Sequence, residues 1–134
     1  MKKDIPVNLV QNVAIAIVLI DEGPDYKNWN VYLLNMRNEE INTVIVNAKG
    51  YGEYQGKEVK TSLLRHFIGD IPSNSFKALE AIDPQVFGLT NEYWVSYYIG
   101  PEIYDKKFIF LPESIVEDNL IKIPLINKMG IMIN

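Results

Sequence analysis

The spacing of turn-forming residues is what most limits how this chain can fold. Groups rich in Gly, Pro, Asn, Asp and Glu stand at 21–28 (DEGPDYKN), 37–40 (RNEE), 49–56 (KGYGEYQG), 69–75 (GDIPSNS), 83–92 (DPQVFGLTNE) and 100–102 (GPE). Such breaks recur roughly every 8–15 residues, and the runs between them are rich in Val, Ile, Leu, Tyr and Phe. Strands are expected at 12–20, 29–36, 42–48, 57–67, 75–82, 93–99 and 103–111.

Alternation supports those strands. Val13, Ile15, Ile17 and Leu19 share one face, with Ala14 and Ala16 on the other. In 57–67, Val59, Thr61, Leu63, Arg65 and Phe67 oppose Glu58, Lys60, Ser62, Leu64 and His66. In 93–99, Tyr93, Val95, Tyr97 and Ile99 oppose Trp94, Ser96 and Tyr98. A period of two marks a half-buried strand. SFKALEAI (75–82) is long enough for two helical turns, but turns close on both ends favour a strand.

About seven short strands with regular turns are the pattern of a β-sandwich. The expected fold is therefore all-β: an immunoglobulin-like, fibronectin III-like sandwich with a short C-terminal extension. Tyr93, two residues before Val95, has the spacing of the tyrosine corner of such domains. There the hydroxyl turns back to backbone a few residues upstream. Near the tail, Ser114 and Glu117 have capping-box spacing and predict a short helix.

The 134 residues suit one domain, 1–134, with no internal repeat or low-complexity linker. The chain has no cysteine, which removes disulfides, thiolate zinc sites, iron–sulfur clusters and cysteine nucleophiles. Thirteen basic and seventeen acidic side chains give a formal charge of −4. That balance disfavours a nucleic-acid partner, and the basic cluster Lys57, Lys60, Arg65 and His66 is interrupted by Glu58. At the N-terminus, Lys2 and Lys3 precede an apolar run from Val13 to Ile20. Asp4 and Pro6 intervene, and Asp21-Glu22-Gly23-Pro24 stands where a cleavage site would be, so no signal peptide is expected. No run approaches the ~20 apolar residues of a membrane span, and a cytoplasmic setting is expected.

Chemical motifs are few. VIVNAKGYGEYQG (44–56) resembles a strand entering a glycine loop, but its spacing is G-x-G-x-x-x-G, one residue longer than the dinucleotide fingerprint. Tyr51 and Tyr54 are bulky where backbone must approach phosphate, and no helix pattern follows. The glycines are expected at a bend or bulge, and no cofactor is predicted. His66 is the only histidine and falls on the Glu58–Lys60–Ser62 face, which predicts a surface imidazole. No serine occupies a G-x-S-x-G elbow. Asp21, Glu22 and Asp25 cluster without the ladder of a calcium loop, so a solvated turn is expected.

Two features point to recognition. The segment 121–133 carries Ile121, Ile123, Leu125, Ile126, Met129, Ile131, Met132 and Ile133, which the domain or a partner must cover. Several aromatics, among them Tyr51, Tyr54, Trp94 and Tyr98, stand in or near turns and on alternating faces. Tyr51, Tyr54, Trp94, Tyr98, Ile131 and Ile133 are the candidate interaction surface. The expectation is a non-catalytic module that self-associates or binds a cytoplasmic protein. The alternative is a carbohydrate- or small-ligand-binding module using the aromatics.

WNVYLLN (29–35), KGYGE (49–53), TSLLRHF (61–67), VFGLTNEYWVSYYI (86–99), IYDKKFIFLPESI (103–115) and KIPLINKMGIMI (122–133) together resemble a family of small bacterial proteins of no established function. Some similar sequences are labelled phenylalanyl-tRNA synthetase alpha-chain-like, which would imply a translation-associated role. The chain shows none of the arginine-bearing ATP motifs of a class II synthetase. The resemblance implies no catalytic residues.

Overall fold

A computed structural model describes residues 8–134. The leader-like features Lys2, Lys3, Asp4 and Pro6 lie outside that range. The described chain runs β1 (Val13–Gly23), β2 (Tyr26–Asn35), β3 (Ile41–Tyr54), β4 (Lys57–Lys60), β5 (Leu64–Ile71), β6 (Ser75–Ile82), β7 (Thr90–Ile99), β8 (Glu102–Phe110), β9 (Ile121–Lys122) and β10 (Met129–Ile133). They form two sheets packed face to face, an all-β sandwich. The first sheet has the order β6-β2-β1-β10-β9; in the second, β4 and β5 share one side of β3, followed by β7 and β8. Among the described residues, no helix is long and apolar enough to cross a membrane.

Alternating side chains build the interior. Val13, Ile15 and Ile17 of β1 and Val31 and Leu33 of β2 face Val44, Val46 and Ala48 of β3 and Tyr93, Val95 and Tyr97 of β7. Phe108 and Phe110 of β8 complete this layer, both fully buried. Val95 is a core residue, as the alternation requires.

The first sheet is buried on its outer side as well. Ala14, Ala16, Val18 and Leu34 meet Ile123, which is 0% exposed, to form a second apolar layer. The apolar tail therefore packs on the chain's own body. Its strand β10 pairs with β1, Ile15 opposite Ile133 and Ile17 opposite Ile131. A tight loop before it is closed by Ile123 N–H donating to Lys128 O (2.8 Å) and Asn127 N–H to Ile123 O (2.8 Å). Close approach explains Gly130, where a Cβ would lie 2.5 Å from Ile17 O.

Several expectations are corrected. The 57–67 segment is not one strand: it breaks at 61–63 into β4 and β5, both paired with β3. The break shifts the phase of alternation. Phe67 points to solvent, and His66 turns inward, its side chain 21% exposed. The 49–54 stretch is not a bend, because β3 continues through Gly50 and Gly52 to Tyr54. The reversal comes at Gln55-Gly56, with φ values of 53° and 80°, a two-residue hairpin turn that favours glycine. Tyr93 makes no corner: its hydroxyl donates to Glu80 Oε2 (3.1 Å) on the opposite sheet instead of upstream backbone. Ser114 caps no α-helix; its hydroxyl donates to Leu111 O (2.8 Å), and a single 3₁₀ turn follows at Glu117–Asn119.

Candidate functional site

The outer face of the second sheet is built by the same alternation that fills its inner face. While Val46, Val95 and Phe108 point inward, Asn47, Trp94 and Lys107 form a row across the outside. Ile45, Ser96 and Asp105 form the next row, with Phe67 beside Ile45 on β5. Asn42, Tyr98 and Ile103 lie beyond it, and Lys49, Glu92 and Ile109 on the opposite side. Three strands thus present Phe67 (73% exposed), Ile103 (53%), Trp94 (41%), Tyr98 (40%) and Ile109 (39%) on one surface. Among the described residues nothing covers them. The polar members are held in place: Arg65 Nε–H donates to Asn47 Oδ1 (2.9 Å), and Lys107 Nζ lies 4.7 Å from the Trp94 ring centroid.

One end of this face opens into a groove of about 570 Å³ between the end of β3, β4 and Glu92. Glu92 is only 6% exposed although it sits on the outer side of β7. Tyr51 Oη–H donates to its Oε1 (3.2 Å), and Lys49 Nζ stands 3.9 Å from its Oε2. Burial, then the hydrogen bond to Glu92 and its negative charge, raise the Tyr51 hydroxyl above its ordinary pKa of 10.0. The Lys49 contact is too long for a hydrogen bond. That leaves one carboxylate oxygen with an ion-pair partner but no donor, facing a groove walled by Leu63, Lys60 and Glu58. The arrangement suits a hydrogen-bond-donating or cationic group of a bound molecule; it offers no activated nucleophile.

A separate polar cluster joins the two sheets at their β5 and β6 edges. Glu80 Oε1 lies 2.7 Å from His66 Nε2, and its Oε2 accepts from Tyr93. Burial foremost, followed by the Glu80 charge, pushes the Tyr93 pKa upward. With both Glu80 oxygens engaged, one by His66 and one by Tyr93, the cluster straps β5 to β6. His66 is therefore a half-buried partner of Glu80 and not a free surface imidazole.

The six sequence-predicted surface residues separate. Tyr51, Trp94 and Tyr98 share the outer face of the second sheet, Tyr51 half-buried over the groove. Tyr54 is 64% exposed at the end of the β3–β4 hairpin. Ile131 and Ile133 lie in the other sheet, partly buried against the interior core. Sequence reasoning missed Phe67, Ile103, Ile109 and Glu92. The alternation of Ile103 and Ile109 with Tyr104 and Phe108 carries the signal for those two. Phe67 was hidden by the break at 61–63. Comparison with models of protein families, with curated proteins and with solved structures found no match for this chain.

Proposed function

We propose that this protein is a non-catalytic interaction module whose docking surface is the outer face of the second sheet. One observation carries the reading: the C-terminal segment covers the outer face of one sheet over β1 and the adjoining Leu34 of β2, and among the described residues nothing covers that of the other. A sheet face that exposes several large apolar side chains among polar ones marks a surface that meets something. The groove at its end, with Glu92 on its wall, would accept a basic or hydroxyl-bearing side chain of the partner. The proposed setting is the cytoplasm.

The strand neighbours support an immunoglobulin-like, fibronectin III-like scaffold for this module. β1, β2 and β6 adjoin as strands A, B and E do, β3, β7 and β8 as C, F and G do, and β4 and β5 flank β3 on the C′ side. β9 and β10 extend the first sheet beyond β1.

A photo-crosslinking amino acid placed at Phe67 or Tyr98 tests the docking surface, with Asn38 in an exposed turn as control. The expected result is a discrete adduct, with a copy of the chain or with another protein, from the two face positions only. Equal or absent crosslinking at all three positions would remove the reading. Sugar binding is the second reading, favoured by the exposure of Trp94 and Tyr98 on one face. Lys107 already occupies one ring face of Trp94, so stacking must displace it. Oligosaccharide titration that leaves Trp94 fluorescence unchanged would dismiss this alternative.

A further inference from the structure

We infer that β8 is a self-pairing edge, through which two copies of this chain join antiparallel about a two-fold axis at Lys106. The inference goes beyond the docking reading above: the second copy joins at the strand edge and leaves the outer face itself open. Among the described residues β8 is the last strand of its sheet, pairs with β7 alone, and runs nine residues without a register shift. The other outer strands offer less: β4 has four residues, β9 has two, β5 pairs with β3 across register shifts, and β6 is paired through a bulge. A long, regular edge, met among the described residues by Asn8 at Glu102 and Ile103, is a template for another strand.

The side chains specify which strand. The outer positions of β8 read Ile103, Asp105, Lys107, Ile109, a pattern that complements itself when reversed. Antiparallel pairing centred on Lys106 sets Asp105 of each copy opposite Lys107 of the other, and Ile103 opposite Ile109. Moving the centre one residue either way sets Asp105 against Asp105 or Lys107 against Lys107. A half-step sets outer residues against inner ones, which the pleat forbids. All four side chains are exposed. The backbone agrees: Ile103 O accepts from Asn8 Nδ2–H (2.8 Å), a partner outside the β7 ladder. By alternation the odd-numbered residues then turn their free N–H and C=O groups to the open edge. Pairing would make a continuous surface of the two outer faces.

Two features keep the association weak. Lys106 meets its own copy at the axis, a like-charge pair relieved only in part by the position of its Nζ 5.2 Å from the Phe108 ring centroid. Asn8 must also release Ile103 O. A reversible dimer is therefore expected, not a permanent one.

Sedimentation equilibrium of the full chain from about 10 μM to about 1 mM tests this in the range of weak interfaces. A monomer–dimer equilibrium without larger species is expected. Asp105→Lys should weaken it about tenfold, and adding Lys107→Asp to the same chain should restore it. Lys106→Thr should tighten it by several-fold, roughly, by removing the pair at the axis. All three positions lie on a solvent-accessible strand, and circular dichroism verifies the fold of each variant. A monomer at every concentration overturns the inference, as does a dimer indifferent to Asp105→Lys or one that the charge exchange fails to restore. If the chain is monomeric while crosslinks at Phe67 and Tyr98 capture another protein, only the self-pairing fails. If those crosslinks are missing too, the docking reading falls with it.

Discussion

The two outer faces of this sandwich are made from similar strands and have opposite fates. On the first sheet, small side chains (Ala14, Ala16) let the C-terminal segment lie close, and Ile123 seals the layer completely. On the second, large side chains (Phe67, Trp94, Tyr98) stand up from the sheet and no segment of the described chain reaches them. Covering thus depends on how near a segment's backbone can come. Where alanine and Gly130 allow a second layer, the apolar surface is spent on stability; where aromatics project, it stays available for contact.

The largest test of that contrast is Ile123→Ala. Its side chain is wholly buried on the outside of a sheet, so its loss leaves a cavity over Ala14, Ala16 and Val18. The cost should be about 3 kcal/mol, read as a lower urea midpoint at unchanged slope. A cost below about 1 kcal/mol would mean that the C-terminal segment is not part of the cooperative fold.

How much of this was legible from sequence depends on which physical signal each element carries. β1, β7 and β8 are plain because their alternation is long and unbroken. β5 was misphased because Thr61 interrupts the strand to serve Gly50: Gly50 N–H donates to Thr61 Oγ1 (2.7 Å) and Thr61 N–H donates to Gly50 O (2.9 Å). Glycine in a strand reads as a break, yet Gly50 and Gly52 stay in register with Asn91 and Val59 respectively. The outward aromatics Trp94 and Tyr98 were visible by period alone. The apolar tail was visible too, but a pattern of isoleucines is the same whether it covers its own sheet or another. Glu92 gave no sign, since its burial arises from Tyr51 across the β3–β7 pairing.

Beneath the uncovered face, alkaline pH probes the inner layer. Tyr97 is fully buried, stacked on Tyr104 with ring centroids 5.3 Å apart, and its hydroxyl has no hydrogen-bond partner. Burial pushes its pKa up to about 12 despite the opposing charge of Arg37. Below pH 10 both folded and unfolded chains hold the proton, and this contribution to stability is complete. Between pH 10 and about 12 the unfolded chain loses it while the folded chain keeps it. Stability should then fall by about 1.4 kcal/mol per pH unit from this residue alone. Tyrosinate absorbance should show the buried tyrosines ionising only with unfolding; ionisation of every tyrosine near pH 10 in the folded chain would contradict this.

Tyr97→Phe gives a smaller effect of opposite sign. Removing a buried hydroxyl without a partner should stabilise the protein at pH 7 by roughly 1 kcal/mol. It should also flatten the alkaline loss. Destabilisation would reveal an unseen partner for that hydroxyl and a wetter interior under the second sheet.

The smallest expected change sharpens the comparison most. Phe67→Ser removes a large apolar side chain, as Ile123→Ala does, but from a position 73% exposed. The aromatic ring gains little burial on folding, so the stability change should stay within about 0.5 kcal/mol. Serine suits an outward position on a strand and leaves the backbone pairing of Phe67 with Ile45 in place. Solubility should rise and crosslinking from Tyr98 should fall, because the apolar continuity of the face is broken. If Phe67→Ser instead cost as much as Ile123→Ala, the second face would be covered in solution. The contrast between the two sheets, and the docking surface drawn from it, would then disappear together.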